Sequence, residues 1–285
     1  MQLNKYIYLN LLLVIIAAGC KKDDTAPSAD IVYKVDIVDR TVTFTNETEG
    51  AVSYKWDFGD GETSTETSPV HTYPGKGKYV PTLYATNASG QVAEGSTVIH
   101  IAKTSPVKLN DNSFADWDAV TDNVVQPAPG ETYFKQLKID YDASYIYLYF
   151  EVNSKEANGD IYDFYLDTDN DATTGFLSGD FPGMGADVLM EGTIFGNWLD
   201  AFNHSGAQNA FSFDPTGVTE FYSLGYKAQD AGVFKFEMRI SRSKLKGLAA
   251  TTAFKMGIQA LKTGWAALLG QIPAKTGAAI EVTFE

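Results

Sequence analysis

Short runs that alternate with period two between β-branched or aromatic residues and polar ones, closed by clusters of Gly, Pro, Asn and Asp, recur along this chain and restrict it to packed sheets. In Thr41-Val42-Thr43-Phe44-Thr45, Val42 and Phe44 share one face and the threonines the other, because successive side chains of a strand point to opposite sides. Tyr54-Lys55-Trp56 repeats the pattern, and Asp57-Phe58-Gly59-Asp60-Gly61 follows as a turn whose glycines take positive φ without steric cost. Val80, Thr82, Tyr84 and Thr86 share a face of a further strand before Asn87-Ala88-Ser89-Gly90 turns the chain. Later, Phe234, Phe236, Met238 and Ile240 alternate with Lys235, Glu237 and Arg239. Ile280, Val282 and Phe284 alternate with Glu281, Thr283 and Glu285, which predicts that the chain ends inside a sheet. Residues 145–152 are almost wholly apolar and aromatic, as in a central strand covered on both faces or one whose tyrosines line a second surface. Residues 241–248 carry a cap and predict a short helix. With 16 Tyr, 17 Phe and 4 Trp among 285 residues, the expectation is an all-β protein of two domains, dividing near residue 104.

The N-terminus has a different character. Lys5 precedes an apolar run from Leu9 to Ala18, broken by Asn10 and ending in Ala17-Ala18-Gly19-Cys20. The run is shorter than the roughly 20 apolar residues that a bilayer crossing needs, so it predicts a cleaved export signal over residues 1–19. Cys20 is the only cysteine. Without a disulfide partner or a second metal-binding thiol, it is the expected site of lipidation, followed by a tether over residues 20–30. Lys21-Lys22-Asp23-Asp24 resembles the charged export tag of Bacteroidetes surface lipoproteins, which implies an outer-membrane protein facing the cell exterior and held there by lipid alone. A formal charge of −14 argues against nucleic-acid binding, which depends on Lys and Arg to neutralise phosphates, and leaves neutral or cationic ligands as the natural partners.

Residues 54–61, then Pro69-Val70-His71-Thr72-Tyr73, Gly77-Lys78-Tyr79-Val80 and Ala85-Thr86-Asn87, resemble a PKD domain along nearly its whole length. The resemblance implies an immunoglobulin-like sandwich over residues 31–103, with Trp56 as core anchor and a role as spacer. Asp57 and Asp60 are then turn-stabilising carboxylates, with a calcium site as the alternative reading. His71 reads as a packed residue, since His100 and His204 stand too far away in sequence to share a metal spacing with it.

In the second segment, residues 105–285, the most chemical stretch is Asp167-Thr168-Asp169-Asn170-Asp171-Ala172-Thr173-Thr174-Gly175. Carboxylates at alternate positions of a short turn converge on a hard cation, and calcium takes six to eight such oxygens. Asp167, Asp169 and Asp171 are the expected ligands, with Asp187 or Asp180 completing them, and an Asx-rich turn that satisfies its own backbone is the alternative. This segment resembles family 9 carbohydrate-binding modules and DOMON-like β-sandwiches. The residues that carry the resemblance are 111–117, 145–152, 166–170, Thr174-Gly175, Gly185-Ala186-Asp187 and 237–245. It implies a larger jelly-roll-type sandwich, structural calcium and sugars stacked on aromatic rings. Trp198 with Asn197 and Asp200, and Trp265 in a glycine loop, are the expected ligand residues, while Trp117 belongs in the core.

The expected function is a non-catalytic surface lipoprotein that binds glycan, working in an outer-membrane uptake system. An adhesion or scaffold protein without a sugar site is the alternative. A haem-binding module would need axial ligands from Met184, Met190, Met238 or His204 facing one pocket. A glycosidase needs only two carboxylates at about 5 to 9 Å, but neither a nucleophile elbow nor a His-Glu-x-x-His motif occurs in the sequence. The anchor is tested most directly. Cys20→Ser should move the chain from the membrane fraction to the soluble fraction, because each buried methylene of the lipid contributes roughly 0.8 kcal/mol. A wild-type chain that mass spectrometry shows to be lipid-free would overturn the assignment.

Overall fold

The computed structural model describes residues 29–196, 198–275 and 277–284. Residues 1–28, with the expected signal sequence, Cys20 and most of the expected tether, and Asn197 lie outside the described residues. Two compact units emerge, one from residues 29–35, 44–69 and 81–97, the other from residues 36–43, 70–80 and 98–284. The described chain is all-β, with only short 3-10 turns between strands.

The first strands are β1 (Tyr33–Val38), β2 (Thr41–Asn46), β3 (Ala51–Asp57), β4 (Thr63–Ser64), β5 (Val70–Thr72), β6 (Gly77–Tyr79), β7 (Thr82–Asn87), β8 (Val92–Ser96) and β9 (Ile99–Ile101). They form sheets in the orders β1-β2-β5, β4-β3-β7-β8 and β6-β9. In the smaller unit Trp56 is fully buried, with Tyr33 edge-on at 5.0 Å and Phe44 at 4.9 Å between ring centroids. Its indole nitrogen donates to the Glu66 carbonyl at 3.1 Å, so the one polar atom of the anchor is satisfied. Asp57 and Asp60 accept from the backbone N–H groups of Gly59 and Glu62 at 2.9 and 3.1 Å, the turn role read from the sequence.

The larger unit continues with β10 (Val124–Val125), β11 (Phe134–Tyr141), β12 (Tyr145–Val152), β13 (Ile161–Asp167), β14 (Val188–Thr193), β15 (Trp198–His204) and β16 (Phe213–Pro215). It closes with β17 (Tyr222–Asp230), β18 (Val233–Ser241), β19 (Ala253–Leu261), β20 (Leu268–Ile272) and β21 (Ile280–Thr283). A five-stranded sheet runs β10-β11-β12-β18-β17, and a seven-stranded sheet runs β16-β15-β14-β13-β19-β20, with β21 also paired to β19. Consecutive strands β12 and β13 lie in opposite sheets, as do β18 and β19, while β12 pairs with β18 and β13 with β19. This is a jelly-roll winding. Leu137, Leu148, Phe150 and Phe236 of one sheet meet Phe164, Met190, Met256 and Ile258 of the other in a single core. Where a helix was expected over residues 241–248, only Arg242–Lys244 makes a 3-10 turn, because Arg242 is drawn inward to the carbonyls of Asp142 and Leu248.

The outer faces of the two sheets differ. On the five-stranded sheet, Tyr147 and Tyr149 are buried beneath Val107, Leu109, Trp117 and Val120. Trp117 donates its indole N–H to Glu237 of β18 at 2.7 Å, and the Tyr226 N–H donates to the other oxygen of the same carboxylate at 2.8 Å. Tyr147 and Tyr149 of β12 are thus core residues of a second layer. On the seven-stranded sheet, residues between β13 and β14 cover part of the outer face. Phe181 lies so close over Gly257 that a Cβ there would come within 2.4 Å of its ring. The rest of that face carries the polar groups described next.

Candidate functional site

Asp163 of β13 lies opposite Glu191 of β14, and Glu191 opposite Asp200 of β15. On the other side Asp163 faces Gln259 of β19, and Gln259 faces Gln271 of β20, so a polar row crosses the sheet at about 4.8 Å per step. These side chains point away from the inter-sheet core because their neighbours Phe164, Met190, Ala201, Ile258 and Ile272 point into it. The glutamine end is satisfied. Gln259 donates to the Asp180 carboxylate at 3.1 Å, Gln271 donates to the Asp180 and Pro273 carbonyls at 3.3 and 3.2 Å, and Lys275 pairs with Asp180 at 2.7 Å. At the acid end one carboxylate oxygen is left over. Asp163 is 5% exposed, and its Oδ1 has no hydrogen-bond partner. Burial first, then the charge of Glu191 and a hydrogen bond with it, push its carboxyl up to about 7. Among the described residues no Lys or Arg forms an ion pair with Asp163, Glu191 or Asp200.

Two tryptophans border this acid end. Trp198 stands on β15 two residues before Asp200 and donates to its carboxylate at 2.6 Å. Trp265, in the turn between β19 and β20, donates to Glu191 at 3.2 Å. The rings meet edge to face, 5.9 Å between centroids and 81° between planes. Trp198 is half-buried and Trp265 is 49% exposed. The turn is held at its base by Lys262 N–H to Ala267 at 2.8 Å, and at its flank by the Thr263 hydroxyl to the Asn158 and Gly159 carbonyls, each at 2.8 Å. Trp265 has φ 56°, a left-handed conformation that costs a bulky residue on the order of 1–3 kcal/mol. The structure therefore brings Trp198, Trp265 and Asp200 together. Asp163 and Glu191 escaped the sequence reading, although a lone carboxylate in the apolar run Ile161-Tyr162-Asp163-Phe164-Tyr165-Leu166 was a signal for the first of them.

At the far end of β13 a second acidic group converges. Asp167, Asp169 and Asp187 each offer a carboxylate oxygen within 4.8 Å of the others. Asp167 accepts from Gly185 N–H at 3.2 Å, Asp187 from the Thr168 N–H and hydroxyl at 3.0 and 3.2 Å, and Asp169 from the Thr174 hydroxyl at 3.0 Å. The connection between β13 and β14 can close this tightly only because position 185 is glycine, where a Cβ would lie 1.9 Å from the Thr174 carbonyl oxygen. Burial raises the pKa of Asp167 and of Asp187, the charge of Asp169 raises both further, and the charge of Asp187 adds to the rise of Asp167. Crowded oxygen donors, two buried and one exposed, with no nitrogen or sulfur among them, fit a hard divalent cation such as calcium. Asp171 does not join them. Its carboxylate accepts from the Thr173 N–H and hydroxyl at 2.8 and 2.7 Å, while its own N–H donates to Asp167 and Asp169 at 3.1 and 3.0 Å. Asp180 serves the glutamine end of the polar row instead.

The residues considered as axial haem ligands are dispersed. Met190 and Met238 are buried in the inter-sheet core, and Met184 packs with Phe181 and Tyr165 on the outer side of β13. The His204 ring lies against Phe176 and Phe213.

Residues 24–101 match the family described as PKD domain. Collagenase ColQ1 of Bacillus cereus strain Q1 is 32% identical over 108 residues, 35% of this chain and 11% of the collagenase, so the chain spans about a tenth of that relative. The crystal structure of the PKD1 domain from Vibrio cholerae metalloprotease PrtV is 30% identical, covering 26% of this chain and 98% of the domain, with a TM-score of 0.26. A carbohydrate-binding module of the β-sandwich superfamily is 12% identical, covering 75% of this chain and 92% of the module, with a TM-score of 0.28. The N-terminal part of the chain is thus a PKD domain, and it is followed by a β-sandwich.

The buried acid has a consequence for stability. A carboxyl whose folded pKa lies above its ordinary 3.8 favours folding fully below that value and loses this contribution as pH rises through about 7. Asp163→Asn mimics the protonated form. It should raise Tm at pH 8 and leave it nearly unchanged at pH 4; a Tm difference independent of pH would contradict the assignment.

Proposed function

We propose that the chain is a non-catalytic surface lipoprotein that binds polysaccharide, with the PKD domain as spacer and the larger sandwich as the binding module. The reading is carried by the Trp198–Trp265 corner beside Asp200 and Glu191 on the outer face of the seven-stranded sheet. Indole faces cover the apolar C–H faces of pyranoses, and carboxylates accept from their hydroxyls. Rings at 81° make a corner rather than a flat platform, which suits one sugar ring held between a face and an edge and does not suit a crystalline surface. The fixed Trp265 turn lowers the ordering entropy a ligand must overcome. Delivery of captured glycan to an outer-membrane uptake complex fits the lipid anchor at Cys20.

A glycan array followed by affinity gels with the purified chain tests this. Trp265→Ala should weaken binding of the selected glycan about thirtyfold or more, the loss expected of an aromatic anchor, with circular dichroism and Tm retained because the ring is half exposed. Unfolding of the variant, or unchanged binding, would favour the adhesion or scaffold reading.

We also assign Asp167, Asp169 and Asp187 to a structural calcium ion that ties β13 to the start of β14. Saturating calcium should raise Tm by mass action and chelator should lower it. Asp169→Ala should abolish that difference; identical melting of metal-free and calcium-loaded wild type would remove the assignment.

A further inference from the structure

The acid end of the polar row is unusual in what it lacks. Like charges directly opposite each other destabilise a sheet, yet Asp163, Glu191 and Asp200 stand in register on adjacent strands without a basic partner among the described residues. Asp163, at the inner end of the three acids, is almost wholly buried, and although it hydrogen-bonds Glu191 its Oδ1 has no partner. Each indole N–H at the border is already engaged, by Asp200 and by Glu191, so what the tryptophans offer a ligand is ring surface.

We propose that this site takes an ammonium-bearing saccharide, an oligosaccharide of unacetylated amino sugars whose amines meet the acid row while a pyranose ring lies in the tryptophan corner. The proposal rests on the glycan reading above and narrows its ligand class.

Metal binding is the first competitor, and geometry disfavours it. Among the described residues the one acidic group whose oxygens converge within 4.8 Å is Asp167, Asp169 and Asp187, so the row is spread over several strands rather than gathered around a point. A spread row suits an extended organic cation. Tryptophan faces next to carboxylates suit it too, since the ring quadrupole attracts ammonium and the same ring covers C–H groups. A cation docked beside Asp163 would also reverse the effect of burial and Glu191 on its carboxyl. A lysine-rich peptide is the second competitor. Strands β13, β14 and β15 are each paired on both sides, so a peptide cannot add to them as a further strand and would have to bind through side chains alone. It would also bring no flat C–H face to the tryptophan corner.

Calorimetric titration of the purified chain tests the inference with four probes: a β-1,4-glucosamine oligomer, its fully N-acetylated counterpart of matched length, a neutral cello-oligomer and a polylysine peptide. The amino oligomer should bind at least about tenfold more tightly than either neutral oligomer, a difference of about 1.4 kcal/mol, and added salt should shrink the ratio. Glu191→Gln should remove the preference, and Asp230→Asn, at an exposed acid on β17, should keep it. The salt dependence of wild type stands as evidence even if the Glu191 variant fails to fold. Equal affinity for charged and N-acetylated oligomers would overturn the charge preference while leaving the glycan reading in place. Polylysine binding as tightly as the amino oligomer, through Glu191, would overturn the saccharide. Failure of every saccharide to bind would overturn both.

Discussion

Phe150 of β12 and Phe236 of β18 stack at 4.7 Å with their planes 17° apart, and Tyr162 and Phe164 of β13 meet them from the opposite sheet. The rest of the larger unit depends on this contact between sheets. A strand has a side-chain period of two, so a slip of one residue would expel these rings and bring their neighbours inside. The cost of exposing buried aromatics, roughly 1.5–3 kcal/mol each, therefore fixes the register of β12, β13 and β18. It also decides which residues face outward. Asp163 lies on the outer face of its sheet because Tyr162 and Phe164 cannot.

The same rule acts on both sheets with opposite results. Outward-facing Tyr147 and Tyr149 are apolar enough to recruit a further layer, and Trp117 locks that layer through Glu237. Glu237 is buried with both oxygens bonded, so it holds the layer in one place. On the other sheet the outward residues near the Trp265 turn are Asp200, Glu191 and Asp163, which no apolar segment can cover without leaving charge desolvated. Their neighbours toward β20 are tied up by Asp180, and toward the far end of β13 the chain folds back under Phe181. What stays open is Asp200 and part of Glu191, edged by two indoles, with Asp163 buried beside them.

Electrostatic strain is concentrated at both ends of β13. At one end Asp167 and Asp187 are raised by burial and by neighbouring carboxylates, and at the other Asp163 is raised by burial and Glu191. The first group converges on a point and the second spreads along a line. That difference in geometry separates a small hard ion from an extended ligand, although the residue types are the same.

Much of this was legible along the chain. Period-two alternation marked strands at Val42 and Phe44, at Phe234 to Ile240 and at Ile280 to Phe284, because alternation is a local property of the backbone. The turn role of Asp57 and Asp60, and the convergence of Asp167 with Asp169, also follow from residues close in sequence. The sequence determined the all-β class, the PKD domain and the candidate tryptophans. Tertiary structure alone decided that Trp198 and Trp265, far apart in the chain, meet edge to face, that Asp171 bonds to Thr173 rather than joining Asp167, and that Asp163, Glu191 and Asp200 share one row. Those facts depend on which strands become neighbours, and that order is set by how two sheets bury their aromatic faces against each other, a competition no local pattern records.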